Sequence, residues 1–145
     1  RGDGSGRAYL HMKAGGSLKP ATMESVQGME HYVYQDGKPV FKAAVTGMVN
    51  TIKELLVRNQ LTMDDIDWLV PHQANMRIIN SVAEMLDFPK EKVMLNIQKY
   101  GNTTAGTLPL CLWEYENRIK KGDKIILTAF GGGFTWGSTY IVWNY

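Results

Sequence analysis

The sequence predicts an α/β layered fold with one mixed five-stranded sheet and a buried central helix. Short apolar runs bounded by turn residues recur along the chain, and between them lie stretches whose apolar residues step by three and four. Buried strands alternating with amphipathic helices are what a layered α/β domain needs, because the helices cover the sheet faces. The composition agrees: 145 residues, 44% apolar and 21% charged, suit one globular domain over residues 1–145. They exclude a disordered tail, a collagen-like repeat and a coiled coil.

Taken in order, residues 1–6 are glycine-rich and read as a loop. Arg7 to Lys13 shows partial alternation and predicts a strand, and Ala14 to Gln27, with Gly15, Gly16 and Pro20, predicts a loop. Gln35 to Pro39 is a turn. From about Val40 to Asn59 the residues Phe41, Val45, Met48, Ile52 and Leu56 mark an amphipathic helix. Thr62 and Asp65 are spaced as a capping pair. Trp68-Leu69-Val70, ended by Pro71, predicts a buried strand, and Asn75 to Leu86 a second amphipathic helix stopped before Pro89. Val93-Met94-Leu95 is a further short strand. Thr103 or Thr104 is placed to cap a helix running to about Lys120. Lys124 to Ala129 and Thr135 to Trp143 predict two closing strands, antiparallel across Gly131-Gly132-Gly133.

The segment from Thr104 to Tyr115 carries no charge before Glu114 and has no polar face. A helix apolar all round must be covered on every side, which predicts a further layer from another domain or chain. Pro109 fits because it stands near the helix start, where amide hydrogens lack intrahelical partners.

Charge and cysteine usage narrow the function. A net charge of +2 does not give a nucleic-acid-type basic surface. One cysteine, Cys111, excludes an internal disulfide and fits a reducing, cytoplasmic setting. No apolar run reaches the roughly 20 residues that span a bilayer, so no membrane partner is expected. No His, Cys or carboxylate set has metal-ligand spacing. Cys111 sits between Leu110 and Leu112, where burial raises a thiol pKa and leaves it inert.

Three local signals carry chemistry. Pro71-His72-Gln73-Ala74-Asn75 joins a strand to a helix, the place where open α/β sheets bind ligands. His72 there reads on its own first as a helix-capping or packed turn residue, with a hydrogen-bond donor or proton shuttle as the functional reading. Tyr100-Gly101-Asn102-Thr103-Thr104 opens the apolar helix; Asn102 is an Asx-turn residue or an amide donor for a developing oxyanion. Gly131-Gly132-Gly133 lets backbone approach a ligand but lacks P-loop spacing. No convincing nucleophile accompanies them.

The ordered segments Pro71 to Ile79, Tyr100 to Thr107 and Phe130 to Ser138, with Asn102 standing 30 positions after His72, resemble the 3-oxoacyl-[acyl-carrier-protein] synthase III family of thiolase-fold condensing enzymes. The resemblance covers nearly the whole chain, including Gly37 to Lys42 and Asp67 to Val70. It implies a thiolase-like layered α-β-α-β-α fold of two similar halves, of which this chain is the C-terminal one. The lack of an initial Met and of a nucleophile are expected on that reading, since the family's catalytic Cys belongs to the N-terminal half.

The resemblance also implies a decarboxylating Claisen condensation of acyl-CoA with malonyl-[acyl-carrier-protein], initiating fatty acid biosynthesis. Both thioesters are substrates and no cofactor is implied. His72 and Asn102 match the family's catalytic pair, holding the malonyl thioester oxygen as enolate charge develops. Gly132 matches the oxyanion position and Phe130 the active-site wall. Gln73, Ala74, Asn75, Met76 and Arg77, with Lys42, match the carrier-protein contact, where basic charge suits an acidic partner. Gly37, Phe41, Ala74, Asn75 and Ile78 match the pantetheine tunnel. Where relatives often carry a further basic pair on this helix, Glu84 and Met85 stand here. The full-length enzyme is expected to be a homodimer. Two alternatives are another thiolase-fold condensing enzyme using CoA thioesters, such as a natural-product ketosynthase, and a non-catalytic half-domain when the chain is isolated.

Overall fold

A computed structural model describes residues 1–145. The strands are β1 (Leu10–Met12), β2 (Val33–Gln35), β3 (Trp68–Pro71), β4 (Lys124–Gly131) and β5 (Thr135–Val142). The helices are α1 (Met23–Gln27), α2 (Gly37–Arg58), α3 (Met76–Met85), α4 (Ile97–Tyr100) and α5 (Thr107–Tyr115). The main sheet has the order β3-β4-β5, with β3 parallel to β4 and β4 antiparallel to β5. β1 and β2 form a separate antiparallel ribbon.

The mixed α/β sheet stands, but its five-stranded count does not. Val93 contributes one parallel bridge to Leu69, with Met94 N–H donating to the Leu69 carbonyl at 2.9 Å. It extends no further because Asn96 and Ile97 turn into α4. Residues 7–9 of the expected first strand belong instead to a 3-10 turn over Gly4–Tyr9, begun where Asp3 Oδ1 accepts the Ser5 N–H at 2.9 Å. The expected 14–27 loop contains α1, whose cap Thr22 and Ser25 exchange side-chain-to-backbone bonds. The Thr62–Asp65 pairing forms, with Asp65 Oδ2 accepting both the N–H and the hydroxyl of Thr62.

The pleat of the sheet sorts the core into two. Adjacent strand residues face opposite sides, so Leu69 and Ile126 join α2 and α3 in the larger cluster with Ile52, Ile79 and Val82. Val70 and Ile125 face the other way and pack with Met94, Cys111 and Ile119. α2 and α3 therefore cover one face and α5 the other. On the α2 side, Trp136 of β5 lies against Gly47, where a Cβ would stand 3.2 Å from the indole. Ser138 Oγ stands 2.9 Å from both Thr51 Oγ1 and Thr128 Oγ1, a hydroxyl chain bridging helix and sheet.

α5, expected as a buried central helix, is covered on one face only within this chain. α5 ends at Tyr115 rather than near Lys120, and only Thr107 and Cys111 on it are buried. Pro109 is exposed and Trp113 is 66% exposed. Neither Thr103 nor Thr104 caps it. A 3-10 turn over Thr104–Gly106 precedes the helix, and Gly106 takes the cap position. The sheet supplies only one covering face.

The two environments predict different responses. Ile52→Ala, at a wholly buried position, is expected to lower unfolding free energy by about 2–5 kcal/mol. Trp113→Ala should change it by less than about 0.5 kcal/mol. Urea unfolding of the two variants checks the ranking; equal losses would mean that α5 is covered on both sides.

Candidate active site

The site forms where β3 ends. His72 continues the β3 pairing, its N–H donating to the Thr128 carbonyl at 2.8 Å. That bond fixes the backbone on which the imidazole stands. Asn75 then starts α3 as N-cap, Oδ1 accepting the Arg77 N–H at 2.8 Å. His72 is thus held between a strand end and a helix start.

Asn102 arrives from the other direction. α4 ends at Gly101, whose φ of 65° and ψ of −155° suit glycine and turn the chain toward Asn102. Asn102 Oδ1 accepts the Thr104 N–H at 2.9 Å, an Asx-turn. The turn uses only the carbonyl oxygen, so the Nδ2 amide remains without a protein partner. The structural and functional readings of Asn102 are therefore compatible in one conformation.

His72, Asn102, Phe130 and Gly132 line one cavity of about 810 Å³. Ala74, Asn75 and Ile78 line it as well, while Leu10 and Val33 of the ribbon stand on its wall. Gly132 belongs to the β4–β5 turn. Its neighbour Gly133 has φ 143°, and a Cβ there would meet Thr135 Cγ2 at 2.8 Å, so the turn requires glycine.

Electrostatics follow burial. Partial burial holds the His72 imidazole below its ordinary 6.5, so it is neutral at pH 7. Its Nδ1 lies 2.7 Å from Thr107 Oγ1, on the first turn of α5. Burial, with the Glu114 charge adding to it, pushes the Cys111 thiol up to about 12. Cys111 packs with Val70 and Ile125 and does not line the cavity. Burial and a raised thiol pKa make it a poor nucleophile, in keeping with its apolar neighbours in the sequence.

Gln73 needs a correction. Expected at a carrier-protein surface, it is 0% exposed. Its Nε2 donates to the carbonyls of Pro71 and Met94 at 2.7 and 3.2 Å. Its Oε1 accepts the N–H groups of Asn96 and Ile97 at 3.1 and 3.2 Å. The side chain ties the His72 loop to the segment that leads to Asn102 and has no surface to offer a partner. Ala74, Asn75, Arg77 and Lys42 are exposed, and Met76 is half-buried. Gly37 and Phe41 stand outside the cavity wall, at the start of α2, where the Arg77 guanidinium lies 5.6 Å from the Phe41 ring centre. Sequence reasoning missed Thr107, which offered no signal beyond its place five residues after Asn102.

No group of three or more His, Cys, Asp or Glu stands together as a metal site, and no helix is long and apolar enough to cross a membrane.

Comparison with known proteins places this geometry. The family described as 3-oxoacyl-[acyl-carrier-protein] synthase III C terminal matches residues 56–143. The chain is 53% identical over all 145 residues to beta-ketoacyl-[acyl-carrier-protein] synthase III 1 of Bacteroides thetaiotaomicron, and spans 43% of that relative. The crystal structure of 3-oxoacyl-[acyl-carrier-protein] synthase III from Aquifex aeolicus superposes with a TM-score of 0.85 at 38% identity. That match covers 99% of this chain and 42% of that one. The priming β-ketosynthase of the R1128 polyketide pathway is similar too, with a TM-score of 0.82, 28% identity, and 99% and 43% coverage. The fold is the thiolase-like fold, and the chain spans less than half the length of these relatives.

Two outcomes are expected. Gln73→Leu keeps the volume but strands four backbone groups, and should cost about 3 kcal/mol or more in urea unfolding. A loss below about 1 kcal/mol would mean those groups find other partners. His72 should titrate below 6.5 by NMR. Because the folded chain takes up that proton less readily than the unfolded one, His72 leaves stability unchanged above 6.5. It lowers stability as pH falls through 6.5 toward the folded pKa. His72→Gln should therefore lose less thermal stability between pH 7 and 5 than the parent; equal losses would rule His72 out as the cause.

Proposed function

The chain belongs to the 3-oxoacyl-[acyl-carrier-protein] synthase III family, matching its C-terminal part, and we propose that it forms the malonyl-binding half of that acyltransferase. The reaction is decarboxylative Claisen condensation of an acyl group, delivered by acyl-CoA, with malonyl-[acyl-carrier-protein]. It initiates fatty acid biosynthesis. The observation that carries this reading is the shared cavity of about 810 Å³, which both His72 and Asn102 line.

The chemistry assigned to them is electrostatic. When the malonyl thioester loses carbon dioxide, the electron pair of the breaking C–C bond moves onto the thioester oxygen as an enolate. A neutral His72 N–H and the free Asn102 Nδ2 amide donate to that oxygen. Their bonds strengthen as charge develops, which lowers the barrier rather than only binding the substrate. The enolate carbon then attacks the acyl thioester carbonyl, the C–S bond breaks as the adduct collapses and the thiolate that carried the acyl group leaves, and the carbonyl oxygen of that acyl group is held meanwhile by backbone N–H near Gly132. Phe130 borders the same space.

The thiol that carries the acyl group comes, on this reading, from a further half of the protein. Three facts support it: the relatives are more than twice as long, Cys111 is buried away from the cavity, and α5 leaves Pro109 and Trp113 uncovered. Homodimerisation of the full-length enzyme is part of the same proposal. Arg77 and Lys42, exposed beside the Ala74–Asn75 mouth, suit an acidic carrier protein as steering charges. The likeness of the chain to a priming β-ketosynthase of a polyketide pathway supports a second reading, another condensing enzyme, and on that reading we take the extender to be a CoA thioester. Supplying the acylated enzyme with malonyl-carrier protein or malonyl-CoA separates the two.

In the full-length protein, His72→Ala and Asn102→Ala should each slow malonyl decarboxylation about a hundredfold or more. Acylation by acyl-CoA should fall much less. Loss of acylation with decarboxylation intact would overturn the assignment.

A further inference from the structure

Thr107 presents a hydroxyl to two acceptors with one proton to give. Its Oγ1 lies 2.7 Å from His72 Nδ1 and 3.1 Å from the Thr104 carbonyl. The choice decides the chemistry of the imidazole. If the proton goes to Thr104, Nδ1 must carry the imidazole hydrogen, and Nε2 is a bare lone pair. If it goes to Nδ1, Nε2 keeps the hydrogen.

Three features decide between them. The Thr104 carbonyl already accepts the backbone N–H of Thr107, so it is not orphaned when the hydroxyl turns away. A separation of 2.7 Å is the length of a bond with an O–H donor, shorter than N–H···O bonds usually are, and 3.1 Å is long for O–H···O. Thr107 is 1% exposed, so its hydroxyl has no water to turn to.

We infer that Thr107 is a positioning residue: its hydroxyl donates to His72 Nδ1 and holds the imidazole as the Nε2–H tautomer, the one that can donate into the cavity. The inference rests on the donor role given to His72 above. It also links the two donors. Thr107 begins α5 five residues after Asn102, so a single segment supplies the Asn102 amide and sets the tautomer of His72. Neither residue can shift along the chain without disturbing the other.

The test uses the full-length protein with ¹⁵N-labelled histidine. The His72 signals are those lost in His72→Gln. Two-bond ¹H–¹⁵N correlation at neutral pH should show the parent His72 protonated at Nε2 and bare at Nδ1. In Thr107→Val, which keeps the shape and removes the hydroxyl, a second population protonated at Nδ1 should appear. Malonyl decarboxylation should then fall about tenfold in kcat with KM little changed, the scale of one lost hydrogen bond. Thr107→Ser should restore both. A parent His72 protonated at Nδ1 overturns the inference, and this measurement decides even if the Val variant does not fold. So does a Val variant with unchanged tautomer and turnover. If the tautomer follows Thr107 while His72→Ala leaves decarboxylation intact, the inference stands and the donor role of His72 falls.

Discussion

The buried amide of Gln73 is the constraint on which the site depends. Two stretches of chain must meet there: the end of β3 with His72, and the Met94–Ile97 segment that enters α4 and leads to Asn102. No strand ladder joins these two stretches to each other, since Val93 makes only one bridge to Leu69. A primary amide has two donor hydrogens and two acceptor lone pairs. Gln73 spends all of them on backbone groups, two from each function of the amide. In a site closed to water such bonds are directional and costly to leave unmade, so they set a distance that apolar packing alone would leave loose.

The sheet makes the next contribution. Because neighbouring residues of β3 and β4 face opposite sides, one strand pair anchors two helical layers at once. Leu69 and Ile126 bind the α2–α3 side, and Val70 and Ile125 bind α5. α5 is therefore held through Cys111 and Val70 at the depth where its first residue, Thr107, reaches His72. The thiol is useful as a small buried apolar group, and the same burial that seats it removes its nucleophilicity. On the β5 side the hydroxyl chain Thr128–Ser138–Thr51 crosses from sheet to α2 without an unpaired group.

How much of this was legible depends on the range of the forces involved. Helices α2 and α3 and strands β3, β4 and β5 follow from periodicity, because each buries a face whose pattern is written locally. The Val93–Leu95 strand failed because three apolar residues do not specify a partner, and Gln73 pulls the following residues into a turn. The capping role expected of Thr103 or Thr104 failed because the Gly101 turn and the Thr104–Gly106 3-10 turn place the cap two residues later. His72 and Asn102 were legible as a pair only through resemblance; each alone read first as a turn or cap residue. Gln73 was misread because a glutamine beside Ala74 and Asn75 carries no local sign of facing inward. Its four partners lie on segments that only the folded chain brings together.

On the proposed decarboxylation, a neutral His72 and an un-ionisable Asn102 are the donors the chemistry needs. An imidazolium would donate more strongly to an oxyanion, yet it would also carry its charge before any oxyanion exists and would bind the malonyl carboxylate in the ground state. Uniform binding of that kind does not accelerate decarboxylation, and holding the carboxylate opposes its loss as carbon dioxide. A neutral N–H interacts weakly with the ground-state carbonyl and more strongly as the enolate forms. On the proposed function, burial that lowers the His72 pKa and the Thr107 hydroxyl proposed to fix its tautomer would act on the same quantity, the difference between ground-state and transition-state binding. Asn102 cannot ionise, so its contribution needs only geometry. The Asx-turn supplies that by committing the carbonyl oxygen and leaving the amide free.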